Sequence, residues 1–156
     1  MDARVVFGPS GGDVALEAGD LAADEGLVTG VVLSLLSDGR APGSDEAPEL
    51  SQDLRGYWGE DPADPYGSLL WTLGRSKATR ETLARARELV EGSLAWLKAS
   101  GIASAVEVTA AYGPGGVLAI DVRLVRGPSR RWASLWSATL DQSLSAGGLL
   151  LSVQTG

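Results

Sequence analysis

At Gly101 the spacing of apolar residues changes period, and that change dictates most of what this chain can fold into. Before it, "TRETLARARELVEGSLAWLKAS" (79–100) places Leu83, Ala86, Val90, Leu94 and Leu97 on one helical stripe, widened by Leu89. Thr79 is placed to cap, Glu81 falls in the first turn, and Gly101 is placed to stop the helix. One continuous helix over 79–100 would be about 33 Å long at about 1.5 Å per residue, enough to span a small domain. Arg80, Arg85 and Arg87 lie off the stripe, and Trp96 lies beside it, at the expected edge of the core. After Gly101, "SAVEVTAAYGPGGVLAIDVRLV" alternates on both sides of a turn. Val106, Val108 and Ala110 share a face and pair with Leu118, Ile120, Val122 and Leu124, with "GPGG" as the turn of a β-hairpin.

The earlier elements are shorter. "DVALE" (13–17) alternates as a short strand. In "DEGLVTGVVLSLLSD" (24–38), Leu27, Val31 and Leu35 form one apolar stripe and Val28, Val32 and Leu36 another. Adjoining stripes of this kind belong to a helix buried on most of its circumference, with Asp24 as its N-cap. The valines and Gly30 would suit a strand, but the length favours a helix. The connection 39–66 follows, holding seven acids and two bases, and beyond the hairpin "GGLLLSVQTG" reads as a short strand after a glycine hinge. The expected class is α+β: helices packed on a small antiparallel sheet with a β-hairpin, and a long irregular aromatic loop between the helices. One domain over 1–156 accommodates this, with 126–156 as a C-terminal extension.

Composition narrows function. The chain has neither cysteine nor histidine, so disulfides, thiolate chemistry, a Ser-His-Asp triad, a histidine base and the usual zinc sites cannot be built from it alone. No metal or cofactor is expected. No apolar run is long enough to cross a bilayer and no signal segment opens the chain, which predicts a soluble cytoplasmic product with no membrane partner. The net charge of −7 is divided: residues 1–74 carry −11 and residues 75–156 carry +4. An acidic chain repels phosphate, so nucleic acid is not an expected partner, and the short "RRW" (130–132) is too small a basic patch to reverse that. Bipolar charge suits contacts with neighbouring proteins, or simply two solvated faces.

The stretch "RGYWGEDPADPYGSLLW" (55–71) poses the functional question. Prolines and glycines preclude a regular element across it, yet it holds two of the five tryptophans and two of the three tyrosines. Aromatic side chains bury roughly 150–250 Å² each, so such a loop either folds over its own core or waits for another protein. Glu60, Asp61 and Asp64 are the carboxylates clustered beside these rings. A carboxyl pair roughly 5–10 Å apart in a cleft is what a glycosidase needs, although three acids in one loop can meet that spacing by accident. "GPSGG" (8–12) and "GPGG" (113–116) lack the Lys-Ser/Thr of a phosphate loop and read as turns.

"RGYWGE", then "GSLLW", then "SLAWLKASGIASAVEV", together with "GDLAADEGLVTGVVLSLLSDGRA" (19–41), resemble the baseplate-protein family of Mu-like contractile-tailed bacteriophages over about residues 13–125. That family's pattern is approximately RGWWGD, GS-x-LW and ALxWLxxxGxAxxVxV. Tyr57 stands where Trp is usual, Glu60 where Asp is usual, and Leu69 where a basic residue often sits; beyond residue 125 only "RRWASLW" is similar.

The resemblance implies a structural protein of the tail baseplate, in multiple copies (six), which binds the larger wedge proteins and approaches the tail tube. It would also initiate assembly of the tail sheath protein at a sheet edge. The location implied is the virion, after synthesis in the host cytoplasm. The expected partner-binding residues are Arg55, Tyr57, Trp58, Gly59 and Trp71 of the loop, Trp132 and Trp136 of the second aromatic pair, and Leu149 and Leu151 of the terminal strand. Aromatic anchors on irregular backbone are typical of interface hot spots. The alternative for the two tryptophans of 55–71 is that they pack on the 79–100 helix. The terminal "GLLLSVQ" (148–154) or the hairpin would meet the sheath by strand addition, unless the terminal strand closes the protein's own sheet. No catalytic residue is expected; the alternative function is a carboxylate-based, lysozyme-like peptidoglycan hydrolase.

Overall fold

Strands form where the sequence alternates, and the hairpin has the register its side chains require. The computed structural model describes residues 2–8, 11–24, 27–43, 53–61, 63–74, 76–127, 142–146 and 149–155. In it, strand β7 (Ala103–Tyr112) pairs antiparallel with β8 (Leu118–Arg126), setting Val106 opposite Leu124, Val108 opposite Val122 and Ala110 opposite Ile120. The turn between them places Gly115 and Gly116 at φ of 75° and 78°, a left-handed conformation that glycine adopts without strain. A register shift between Ala103 and Ala105 leaves Ser104 as an extra residue at the start of β7.

The sheet has four strands in the order β7-β8-β10-β9, with β9 spanning Gln142–Ala146 and β10 spanning Leu149–Thr155. It is antiparallel except where β10 runs parallel to β8. β10 is therefore an inner strand: Leu149 and Leu151 stand opposite Leu118 and Ile120 on one side, and opposite Ala146 and Leu144 on the other. This corrects the expectation that 148–154 joins another chain by strand addition, because both of its backbone edges are already engaged. Among the described residues the edges of the sheet are β7 and β9, and β9 is approached by β2 (Val5–Gly8).

The stripe over 79–100 packs against this sheet, but not as one continuous helix. Helix α2 (Arg80–Ser93) ends where Leu94 turns to φ −102°, ψ 7°, and α3 (Ala95–Ala99) follows. The break comes just after Gly92–Ser93, where the Ser93 hydroxyl donates to the Leu89 carbonyl (2.9 Å); such pairs weaken the helical ladder locally. The stripe survives the break. Ala86, Val90, Leu94 and Leu97 are buried, Leu83 and Leu89 half-buried, and Gly101 at φ 72° ends the run. At the other end Thr79 caps as its sequence predicts, accepting from the Thr82 N–H at 3.2 Å.

Helix α1 (Leu27–Leu36) buries Leu27, Val31, Val32 and Leu35 against the same core, joined by Ile120, Val122 and Leu124 of β8. Asp24 is not its N-cap. It belongs to β6 (Ala23–Asp24), which pairs with β1 (Asp2–Ala3). The strand expected at 13–17 is divided at Ala15 between β3 (Gly11–Val14) and β4 (Leu16–Glu17). β3 pairs with β2, and β4 with β5 (Asp20–Leu21). Hydrogen bonds from Arg4 N to Ala22 O, Ala15 N to Arg4 O and Ala22 N to Ala15 O tie these short pairs together.

Candidate partner-binding site

The aromatic stretch hangs on the end of α1 by backbone hydrogen bonds, and two glycines let the chains approach. The Gly39 N–H donates to Ser68 O (2.7 Å), Ser68 N–H to Ser37 O (2.9 Å) and Ala41 N–H to Leu54 O (2.9 Å). Gly67, at φ 86°, lies so close that an added Cβ would stand 2.7 Å from the Ser37 carbonyl oxygen; at Gly56, φ 83°, a Cβ would meet the Arg40 Cβ at 2.5 Å. Buried Ser68 completes the join: its hydroxyl donates to Leu35 O (2.7 Å) and accepts from the Leu70 N–H (3.2 Å).

Arg55 and Trp71, distant in sequence, meet at this join. The Trp71 indole N–H donates to Gly39 O at 2.9 Å, and the Arg55 guanidinium carbon lies 4.5 Å from the centre of the Trp71 ring. Arg55 Nη1 also stands 2.6 Å from Asp38 Oδ2. Arg55 adopts φ 52°, unusual for a residue with a side chain, and its N–H donates to Asp53 Oδ1 (2.9 Å). These contacts make Arg55 and Trp71 an internal clamp. Trp71 is the second residue of a short 3₁₀ turn, Leu70–Leu73, which contacts α2 and puts Leu70 into the core.

Beyond the clamp the loop presents aromatic surface outward. Tyr57 is 53% exposed and Trp58 91% exposed, their ring centres 5.2 Å apart with planes inclined by 53°. Trp58 therefore does not pack on the 79–100 helix, which corrects that alternative for this ring. Gly59 gives Tyr57 its room, since a Cβ there would lie 2.9 Å from the phenol ring. The neighbouring carboxylates hold the turn that follows: Glu60 Oε1 accepts from the Tyr66 N–H (2.7 Å) and Asp61 Oδ1 from the Ala63 N–H (2.9 Å). Asp64 N–H donates to Asp61 O at 2.9 Å. These bonds orient backbone, and the carboxylates that make them shape the loop.

Of the residues expected to bind partners, the structure brings Arg55, Tyr57, Trp58, Gly59 and Trp71 into one region. Leu149 and Leu151 belong to β10, paired between β8 and β9. Trp132 and Trp136 lie outside the described residues. Asp38 and Ser68, which anchor the loop, were missed because neither carries a local signal; only the fold brings them to Arg55 and Leu35.

The sequence profile of the family described as Phage protein GP46 matches residues 27–131. The chain is similar to the protein named "Baseplate protein gp46" of Escherichia phage Mu, with 44% identity over 110 residues, covering 70% of this chain and 76% of that protein. It is also similar to "Mu-like prophage FluMu protein gp46" of Haemophilus influenzae, with 33% identity over 116 residues, 73% of this chain and 78% of the relative.

Proposed function

This chain belongs to the Phage protein GP46 family, and from that premise we propose that it is a structural component of a contractile phage tail baseplate. In this reading it sits in the virion in multiple copies, six per baseplate. It binds the larger wedge subunits, lies near the tail tube and starts assembly of the sheath. The name of the Mu relative supports the baseplate setting. The observation that carries the binding role is the outward Tyr57–Trp58 pair on a clamped loop. An exposed indole on backbone that is already ordered docks with little further loss of conformational entropy, the condition under which a contact contributes most affinity.

The sheath contact requires a free strand edge, and β10 has none. The edge of β7 is the better candidate for strand addition in the four-stranded sheet, since β9 is approached by β2. The test is complementation of a phage lacking this chain. Without it, tails should lack assembled baseplates and sheaths by electron microscopy, and the wild-type chain should restore both and be found in purified tails. Complete tails made in its absence would refute the proposal.

A further inference from the structure

A groove of about 730 Å³ lies between α1, α2 and the 60–69 part of the loop, within the size range of sites that enclose a ligand or several side chains. Its lining includes the apolar side chains of Leu33, Leu69, Leu89 and Trp96, the last held across α1 by an indole N–H bond to Ser34 Oγ (3.0 Å). The titratable side chains lining it are Glu60, Asp64, Tyr66, Glu88 and Arg40, and Glu88 is already paired with Arg85 of α2 at 3.7 Å. The lining is thus apolar with acids outnumbering bases at its rim; its α1 and loop walls belong to the half of the chain that carries −11, and its α2 wall to the half that carries +4. Gly92 of α2 also lines the groove, and a Cβ added there would meet nothing within 4 Å, so the helix backbone is open to close approach.

We propose that this groove receives a segment of another tail protein in which arginine or lysine side chains are interspersed with aliphatic ones. The chemistry follows from the lining. Aliphatic side chains and the methylene stems of the cations would cover the leucines and the Trp96 ring, while the charged heads reach Glu60 and Asp64. Acidic or neutral segments lose that complementarity, and an acidic one is repelled. The proposal rests on the baseplate reading and supplies it with a second contact, separate from Tyr57 and Trp58.

The chain has no cysteine, so Gly92→Cys introduces a unique thiol at a position with room for it. In assembled tails that contain the variant, its reaction with a small maleimide should be at least about tenfold slower than in the isolated chain. A compact photoreactive maleimide attached before assembly should cross-link to a peptide of another protein bearing arginine or lysine. Equal reaction rates in tails that contain the chain would overturn the groove proposal and leave the baseplate reading standing. So would a cross-link to an acidic peptide or to this same chain. Absence of the chain from complete tails would overturn both.

Discussion

The guanidinium of Arg55 lies 4.5 Å from the centre of the Trp71 ring, sixteen positions along the chain, and the same group bonds Asp38. Through this pair the loop that displays Tyr57 and Trp58 is fastened to the end of α1. Arg55→Ala should therefore loosen the display more than the core. The stack and the half-exposed ion pair together contribute about 1 kcal/mol to stability. Arg55→Lys should restore only part of this, because an ammonium cannot stack as a planar guanidinium does. Hydrogen exchange at residues 53–59 is the measurement, with faster exchange expected in Arg55→Ala; unchanged exchange would show that the clamp is idle.

Val90, in the last turn of α2, and Leu94, at the break between α2 and α3, are both fully buried in the core. Replacing either by alanine should cost about 2–4 kcal/mol in denaturant unfolding. A loss below about 0.5 kcal/mol would mean that the stripe faces elsewhere.

Glu81 in the first turn of α2 is held below the usual carboxylate range by a hydrogen bond from its own backbone N–H, with help from the Thr79 hydroxyl. Because the folded value is lowered, the ionised carboxylate stabilises the native state above the unfolded pKa, and that contribution disappears as pH falls through the folded value. Glu81→Gln should accordingly narrow the difference in melting temperature between about pH 6 and about pH 3. Thr79→Ala should cost about 1 kcal/mol at neutral pH by removing the cap. An undiminished pH difference in Glu81→Gln would contradict this assignment.

The α+β class, the hairpin with its register, and the buried stripes of α1 and α2 were legible because each rests on local periodicity. The limits were equally physical. Gly92–Ser93 interrupts the helix without disturbing the spacing of Val90, Leu94 and Leu97, so the pattern alone could not reveal the break. The inner position of β10 depends on pairing with β8, a partner distant in sequence. At the candidate site the sequence singled out Arg55 and Trp71 as residues of interest, yet their bond to each other and to Asp38 exists only through the fold. Exposure separated Trp58 from Trp71, which composition had treated alike.

Glu60 and Asp61 spend carboxylate oxygens on the N–H groups of Tyr66 and Ala63. Replacing both by their amides keeps an acceptor at each position and should leave the fold intact. Neither the wild-type chain nor this double variant should clear a peptidoglycan suspension. Clearing by the wild type that is lost in the variant would assign the loop to hydrolysis instead of assembly.

The most direct test of the proposal that this chain docks in a baseplate through its exposed aromatic pair is Trp58→Ala, read in two ways on the same protein. Trp58 is 91% exposed in the isolated chain, so its removal should lower the melting temperature by less than about 2 °C, as befits a surface substitution worth at most about 0.5 kcal/mol. Incorporation of the variant into tails in phage that lack the wild-type chain should fall at least about tenfold, the effect of losing one hot-spot residue worth about 1.4 kcal/mol or more. A variant that melts normally and assembles normally would contradict the account.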